Sequence, residues 1–106
     1  MSRAILGADD IYVQQFADAL GEWDAAHEHA QIAVRRVNSA CVHIRIIDPD
    51  FLGTRRRDRH DQVWSILEKL PDDTIQELSM LLLLTPDEAK KSYASMEFDE
   101  PVDVNA

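Results

Sequence analysis

Four arginines lie within five positions of an otherwise acidic chain: Arg55, Arg56, Arg57 and Arg59. Their spacing suggests the binding of an anionic group. The chain has 20 Asp and Glu against 11 Lys and Arg. A guanidinium group binds a carboxylate or phosphate through two parallel hydrogen bonds, and Arg55 and Arg59, one helical turn apart, could form such a clamp. The alternative is a solvated helix face on which Asp58 and Asp61 neutralise the arginines.

Gly53 and His60 border these arginines, and together they make up the predicted partner-binding surface. Cations at the start of a helix are disfavoured by the helix dipole. Conflicts with local preference are more common at functional sites, and the role predicted for the arginines is electrostatic docking of a partner. His60 itself has two interpretations: a metal ligand, or a partly buried side chain that holds the helix start against the preceding hairpin.

Cys41 is the single cysteine, which excludes an internal disulfide and fits a reducing compartment. As a soft donor it is a candidate metal ligand, with His60 as the second candidate. His27 and His29 also look like a metal-binding pair, but residues two apart share a face only on a strand. A zinc site needs three or four ligands, and the only companions are Cys41 and His43, so the sequence predicts no dedicated metal site at the two histidines.

We expect one globular, soluble, cytoplasmic domain that is not an enzyme, from the length, the composition, the single cysteine and the missing signal-peptide and catalytic patterns. The chain has 106 residues, 45 % of them hydrophobic, and a formal net charge of −9. That charge repels nucleic acid and anionic membranes at long range, so any such binding needs a local patch. The longest apolar run, residues 78–84, is far shorter than the roughly 20 residues of a membrane span. The N-terminus lacks a signal-peptide pattern, and no nucleophile triad, phosphate-binding loop or carboxylate pair is present.

The first half of the chain predicts a helix followed by a β-hairpin. Residues 1–8 are expected to be a frayed lead-in, and apolar residues at helical spacing then predict a helix from about residue 10 to the mid-20s. Alternating apolar residues predict strands at 31–37 and 41–48, each with one face on the core. Asn38 and Ser39 between them are typical of a hairpin turn.

The second half predicts two helices, a strand and a last helix. Apolar spacing predicts a helix at about 57–70 that Pro71 ends, and a short helical turn from Thr74. The run at 78–84 predicts a strand buried on both faces. A capping box at Thr85 opens a fourth helix, expected to bury Ala89, Tyr93 and Met96. Residues 1–96 are then one domain, with an acidic, flexible tail at 97–106 that is a plausible internal ligand for the arginines.

These elements define an α+β fold with the order α-β-β-α-α-β-α. The 30 or so residues between the second and third strands suffice for a crossover, and crossovers are nearly always right-handed. The third strand should therefore lie parallel to the second. The sequence predicts a three-stranded mixed sheet with its helices on one face.

Two short patterns within residues 31–90 resemble the BolA family. The first lies between the second strand and the following helix, and the second follows the last strand: Phe51, Gly53, Arg59, His60 and Val63, then Leu84, Thr85, Pro86 and Glu88. The two patterns together are fairly specific, whereas either alone is weak. The resemblance implies a small α+β domain like the second class of KH domains, in agreement with the element order above.

The resemblance implies a non-enzymatic partner of a monothiol glutaredoxin in iron–sulfur or redox handling, with which it would share a [2Fe–2S] cluster. Cluster-binding members supply one His just before the last strand, where this chain has Glu77, and a second ligand from the hairpin loop, where Cys41 is the nearest candidate. A carboxylate is a poor cluster ligand compared with thiolate or imidazole. The resemblance is therefore also compatible with glutaredoxin binding without a metal.

A nucleic-acid-binding transcriptional regulator is the alternative function, since some BolA proteins are described as such. A KH-type clamp uses a GXXG loop whose second glycine lets the backbone approach the strand. The corresponding stretch runs from Gly53 to Arg56, and its second glycine is missing. The two tryptophans fall on apolar helix stripes instead of forming a stacking surface. The arginines alone support this function.

Overall fold

The computed structural model describes residues 10–92 in full and the backbone of residues 2–6. Four strands and four helices are described, together with a 3₁₀ turn at Pro49–Phe51. In chain order the regular elements are β1 (Ser2–Leu6), α1 (Ile11–Ala26), β2 (Gln31–Asn38), β3 (Cys41–Ile47), α2 (Arg56–Leu67), α3 (Asp72–Ile75), β4 (Leu78–Leu84) and α4 (Pro86–Lys91). Among the described residues, none of these helices has the length and apolarity needed to cross a membrane.

The strands form one mixed sheet in the order β1-β2-β3-β4, which confirms the predicted α+β class. β2 and β3 are antiparallel and β4 runs parallel to β3, as the sequence predicts. The expectation of a frayed N-terminal lead-in is wrong, because β1 pairs in parallel with β2 from Ser2 opposite Gln31 to Leu6 opposite Arg35. A five-residue strand leaves too short a pattern to identify, and it forms because β2 offers it an edge.

Asp10 starts α1 by accepting hydrogen bonds from the backbone N–H groups of Tyr12 (2.9 Å) and Val13 (3.2 Å). These bonds satisfy two of the amides that a helix start leaves without partners. The predicted apolar stripe of α1 is buried: Val13, Phe16, Leu20 and Trp23. Burying each such side chain contributes roughly 1.5–3 kcal/mol.

One face of the sheet carries the core between the strands, α1 and α2. Alternate residues of β2 and β3 point into it: Ile32, Val34, Val42, Ile44 and Ile46. Val63 and Leu67 of α2 close the core from the other side. The prediction that only one face of these strands is covered is wrong, since Ala33, Arg35 and Arg45 on the second face are also buried.

β4 occupies residues 78–84 as predicted but lies at the edge of the sheet. Only Leu83 and Leu84 are buried in it, so the expectation of burial on both faces is wrong. α2 ends three residues earlier than predicted, with Glu68 as its C-cap. α4 begins with the predicted capping box, and its expected contacts through Tyr93 and Met96, like the tail at 97–106, lie outside the described residues.

Candidate functional site

The connection from β3 to α2 is held in place by its own side chains. Asp48 accepts a hydrogen bond from the backbone N–H of Asp50 (2.9 Å) and so starts the 3₁₀ turn. Phe51 is only 1 % exposed and anchors the turn in the core. Gly53 has φ of +82°, a conformation that favours glycine. A Cβ there would meet nothing within 4 Å, so the requirement for glycine is conformational and not steric.

Arg59 is a structural residue, which corrects its predicted role in partner binding. Its side chain is buried, with Nε donating to the Thr54 carbonyl (2.8 Å) and Nη1 to the Leu83 carbonyl (3.1 Å). Nη1 also lies 2.6 Å from Glu88 Oε1. The guanidinium carbon lies 5.5 Å from the centre of the Phe51 ring. Arg59 therefore ties the start of α2 to the end of β4 and the start of α4.

Glu88 joins this contact from the other side as part of the α4 capping box. It accepts a hydrogen bond from the Thr85 backbone N–H (2.9 Å) while its own N–H donates to the Thr85 hydroxyl (3.2 Å). The hydrogen bond from Arg59, followed by that from the Thr85 backbone, lowers the pKa of Glu88 from 4.5 to about 2. The carboxylate form is thus favoured by the fold itself.

The free energy of unfolding is expected to fall as the pH drops from about 4.5 to about 2, the range between the ordinary and the folded pKa of Glu88. The folded state binds that proton less readily than the unfolded state, so stability is present above the unfolded pKa and lost below it. Because a third of the side chain is solvent-exposed, we expect a loss of roughly 1–3 kcal/mol. Urea unfolding of the wild type and of Glu88→Gln at pH 2.5 and pH 6 measures this loss. The difference between their free energies of unfolding should be smaller at pH 2.5 than at pH 6. An equal difference at the two pH values would contradict the lowered pKa of Glu88.

The other three arginines are exposed, as partner binding requires: Arg55, Arg56 and Arg57. Arg56 is 73 % exposed and lies 3.8 Å from Glu88, at the limit of an ion pair. Arg55 and Arg57 form no ion pair with Asp58, Asp61 or any other carboxylate in the described part of the chain. The interpretation of these arginines as a face neutralised by its own aspartates is therefore wrong for Arg55 and Arg57.

Leu52 is a candidate site residue that sequence analysis missed. Its exposed fraction is 81 %, the largest among the exposed large hydrophobic side chains of the described residues. Leu52 precedes Gly53 and belongs to no helical or strand pattern of apolar residues. This was the one feature of the sequence that could have indicated an exposed leucine. We call the surface formed by Leu52, Gly53, Arg55, Arg56, Arg57 and His60 the basic corner.

His60 is exposed, so the expectation of a partly buried side chain holding the helix start is wrong. Its ring stacks on Trp64, with the centroids 5.9 Å apart. Together with Arg56 and residues 81–83 of the sheet edge it lines a cleft of about 210 Å³. His60 thus continues the basic corner along α2 toward β4, the last strand in the order of the sheet.

Cys41 lies at the start of β3, the end opposite to the basic corner, and so is separated from His60, the other candidate metal ligand. It is half-buried and pairs with Asn38 across the hairpin. The six residue steps from Cys41 to Ile47 span about 20 Å at the rise of a β-strand. The structure therefore does not bring Cys41 and His60 together as ligands of one metal.

Glu77 lies near Cys41, since its carbonyl accepts a hydrogen bond from the Val42 backbone N–H (2.7 Å). Its carboxylate is bound by Arg36 Nη1 at 2.8 Å. The same guanidinium donates from Nε to Asp10 (3.0 Å). The Glu77 side chain, at the position where the resemblance implies a cluster ligand, is thus held in an ion-paired bridge.

A cleft of about 460 Å³ surrounds this bridge, lined by Asp10, Ile11, Tyr12, Arg36, Asn38, Ser39 and Glu77. Burial opposes the ionised form of Asp10, yet the hydrogen bonds from the Val13 backbone, Arg36 and the Tyr12 backbone lower its pKa. The cleft therefore pairs its central cation with two carboxylates and leaves no net positive charge for an anion. No protein-family model matches this chain, and no curated protein matches it.

Proposed function

We propose that this chain is a non-enzymatic, BolA-like interaction protein that binds an acidic partner through the basic corner. The observation that carries the proposal is the combination of an 81 % exposed leucine, Leu52, with three exposed arginines where the connection from β3 enters α2. Protein interfaces often combine exposed apolar side chains with arginines, and arginine is common among the residues that contribute most to binding.

The frame under the basic corner supports this function. Phe51 and Arg59 are buried and anchor the connection to the core, so its backbone is already ordered before a partner binds. Pre-ordering removes part of the entropic cost of association. The exposed guanidinium groups then attract a carboxylate-bearing surface and fix its orientation, while Leu52 supplies apolar contact.

A monothiol glutaredoxin is the proposed partner, in iron–sulfur or redox handling. Support comes from the two sequence patterns and from the element order α-β-β-α-α-β-α that begins at α1. The ion pair between Glu77 and Arg36 argues against a cluster ligand at that position. We propose that the contact forms without a metal ligand from Glu77 and that the isolated chain needs no cofactor.

Calorimetric titration with a purified monothiol glutaredoxin, with and without its cluster, tests the proposal. The triple variant Arg55→Ser, Arg56→Ser, Arg57→Ser should bind about tenfold or more weakly, because each lost charge slows encounter and removes a contact. Lys90→Ser with Lys91→Ser is the matched control, since these exposed cations on α4 lie outside the basic corner, and it should bind as the wild type does. Equal affinity of the triple variant and the wild type would contradict the proposal.

Nucleic-acid binding is the second candidate, favoured by the same three exposed arginines at a glycine-containing connection. The same variants are titrated with single-stranded and duplex DNA over a range of salt concentrations. Binding through the basic corner would show an affinity that falls with salt, with a slope of about −0.9 per duplex phosphate contacted. Such a slope, lost in the triple variant and with no glutaredoxin binding, would replace the proposed function by this one.

A further inference from the structure

Three side chains from two separate connections meet beneath the start of the 3₁₀ turn. His27 follows the end of α1, and Asp48 and Asp50 flank Pro49 after β3. One ligand atom from each lies within 4.8 Å of the other two. We propose that His27, Asp48 and Asp50 form a binding site for a divalent transition-metal ion such as zinc.

Asp48 provides the strongest reason for a cation here. Its side chain is fully buried, at 0 % exposure. Its oxygens accept one hydrogen bond each, from Trp23 Nε1 (3.0 Å) and from the Asp50 backbone N–H (2.9 Å). In the described part of the chain no Lys or Arg lies within ion-pair distance of it. A buried carboxylate is costly without a neighbouring cation, and each of its oxygens keeps a lone pair for one.

His27 is arranged as metal-binding histidines usually are. Its Nδ1 lies 3.0 Å from the Trp23 carbonyl oxygen. A carbonyl can only accept, so Nδ1 carries the proton and donates it, which leaves the lone pair on Nε2. Such a bond to a backbone carbonyl fixes the tautomer and the ring orientation of a metal ligand. The ring also stacks on the Trp23 indole, with centroids 3.9 Å apart and planes 14° apart.

Asp50 supplies the third ligand and keeps the site accessible, since it is exposed. Bonds of about 2.0–2.2 Å place the ligand atoms of a metal roughly 3–4.4 Å apart. The observed limit of 4.8 Å therefore requires only a small closing movement. One imidazole and two carboxylates suit zinc, cobalt, nickel or manganese, and they do not suit an iron–sulfur cluster. Solvent would complete the coordination on the exposed side.

The site is separate from the proposed function but would act on the same connection. Asp50 lies two residues before Leu52, the apolar residue of the basic corner. A metal ion bound at Asp48 and Asp50 would cross-link this connection to the end of α1 through His27. Metal binding to the folded state stabilises it by mass action, so occupancy should raise the unfolding temperature as well.

Cobalt(II) titration of the whole chain, followed by visible absorption, tests the site. We expect a saturable band with one equivalent of Co²⁺, and competition by Zn²⁺. Asp50→Asn and His27→Gln should each weaken binding about tenfold or more, by analogy with losses at metal-site residues. Asp50→Asn keeps the backbone N–H that Asp48 accepts, and its side chain is exposed, so this variant should fold even if His27→Gln does not.

His29→Gln is the matched control. His29 lies two residues from His27, its side chain is 74 % exposed, and its Nε2 lies 3.1 Å from a carboxylate oxygen of Glu28. This variant should bind Co²⁺ as the wild type does. The proposal is overturned if the wild type shows no saturable band, if Asp50→Asn binds like the wild type, or if His29→Gln loses as much affinity as Asp50→Asn. Glutaredoxin binding is measured independently, so its absence would not bear on the metal site.

Discussion

Replacing Arg59 by methionine is expected to lower the free energy of unfolding by about 2–4 kcal/mol, a large part of the roughly 5–10 kcal/mol of a domain this size. The variant keeps the apolar stem but removes the donors to the Thr54 and Leu83 carbonyls. It also removes the nearer of the two cations beside Glu88, at 2.6 Å in the wild type, and leaves Arg56 at 3.8 Å. Buried polar groups that lose their partners account for most of such a cost. Urea unfolding followed by tryptophan fluorescence measures it.

Arg57→Met is the matched control, since Arg57 is exposed and two residues away. Its effect should stay within about 0.5 kcal/mol, as for most surface substitutions. A double-mutant cycle of Arg59→Met with Glu88→Gln should show a coupling energy between the two residues. If Arg59→Met costs no more than Arg57→Met, then Arg59 is not the structural residue described above and becomes available again for partner binding.

The contact between Arg59 and Glu88 explains why two distant sequence patterns occur together. Arg59 belongs to the first pattern and Glu88 to the second. The two residues lie 29 positions apart in the chain, yet their side chains form one ion pair. Most pattern residues are buried or complete a turn or cap: Phe51, Gly53, Arg59, Val63, Leu84, Thr85 and Glu88. The pattern therefore reports how the connection is built. Of the basic corner, with which we propose that the chain binds a partner, Leu52 and the three exposed arginines lie outside the pattern, whereas Gly53 and His60 belong to it.

Locally determined features of the fold could be predicted from the sequence. The extent of α1, the hairpin, β4 and the capping box at Thr85 follow from periodicity and capping preferences over a few residues. The parallel arrangement of β3 and β4 follows from the length of the chain between them and the handedness of crossovers. These were enough to place the four arginines between the end of β3 and the start of α2.

Long-range pairing could not be predicted in the same way. β1 is five residues long and depends on the edge of β2, 29 positions further along the chain. Arg59 is buried against the Leu83 carbonyl of β4 and the Glu88 carboxylate, both far along the chain, so sequence alone grouped it with its exposed neighbours. His27 was compared with His29 and Cys41, whereas its neighbours in space are two aspartates assigned to a turn. In each of these cases the residue type indicated what a residue could bind. The residue it contacts, however, lies in another part of the chain.

Replacing Arg36 by methionine is expected to lower the free energy of unfolding by about 1.5–3 kcal/mol. Arg36 binds Asp10 at the start of α1 and Glu77 before β4, and its side chain is 19 % exposed. Without it, two partly buried carboxylates face one another. The loss of stability caused by Arg36→Met should shrink as the pH falls below about 4. The ionised Asp10 carboxylate stabilises the fold in full above its unfolded pKa, near 3.8, and this stabilisation is lost as the pH falls below that value. Urea unfolding at pH 3 and pH 7 measures both effects.

Lys69→Met is the control for Arg36→Met, since Lys69 is 65 % exposed and makes one 3.4 Å contact with Glu22. Exposed pairs of this kind contribute about 0–1 kcal/mol, so its effect should be small and insensitive to pH. Equal losses in the two variants would show that Arg36 does not hold Glu77. Glu77 would then not be held in an ion pair. Only the weakness of a carboxylate as a cluster ligand would still speak against a shared cluster at this end of the sheet.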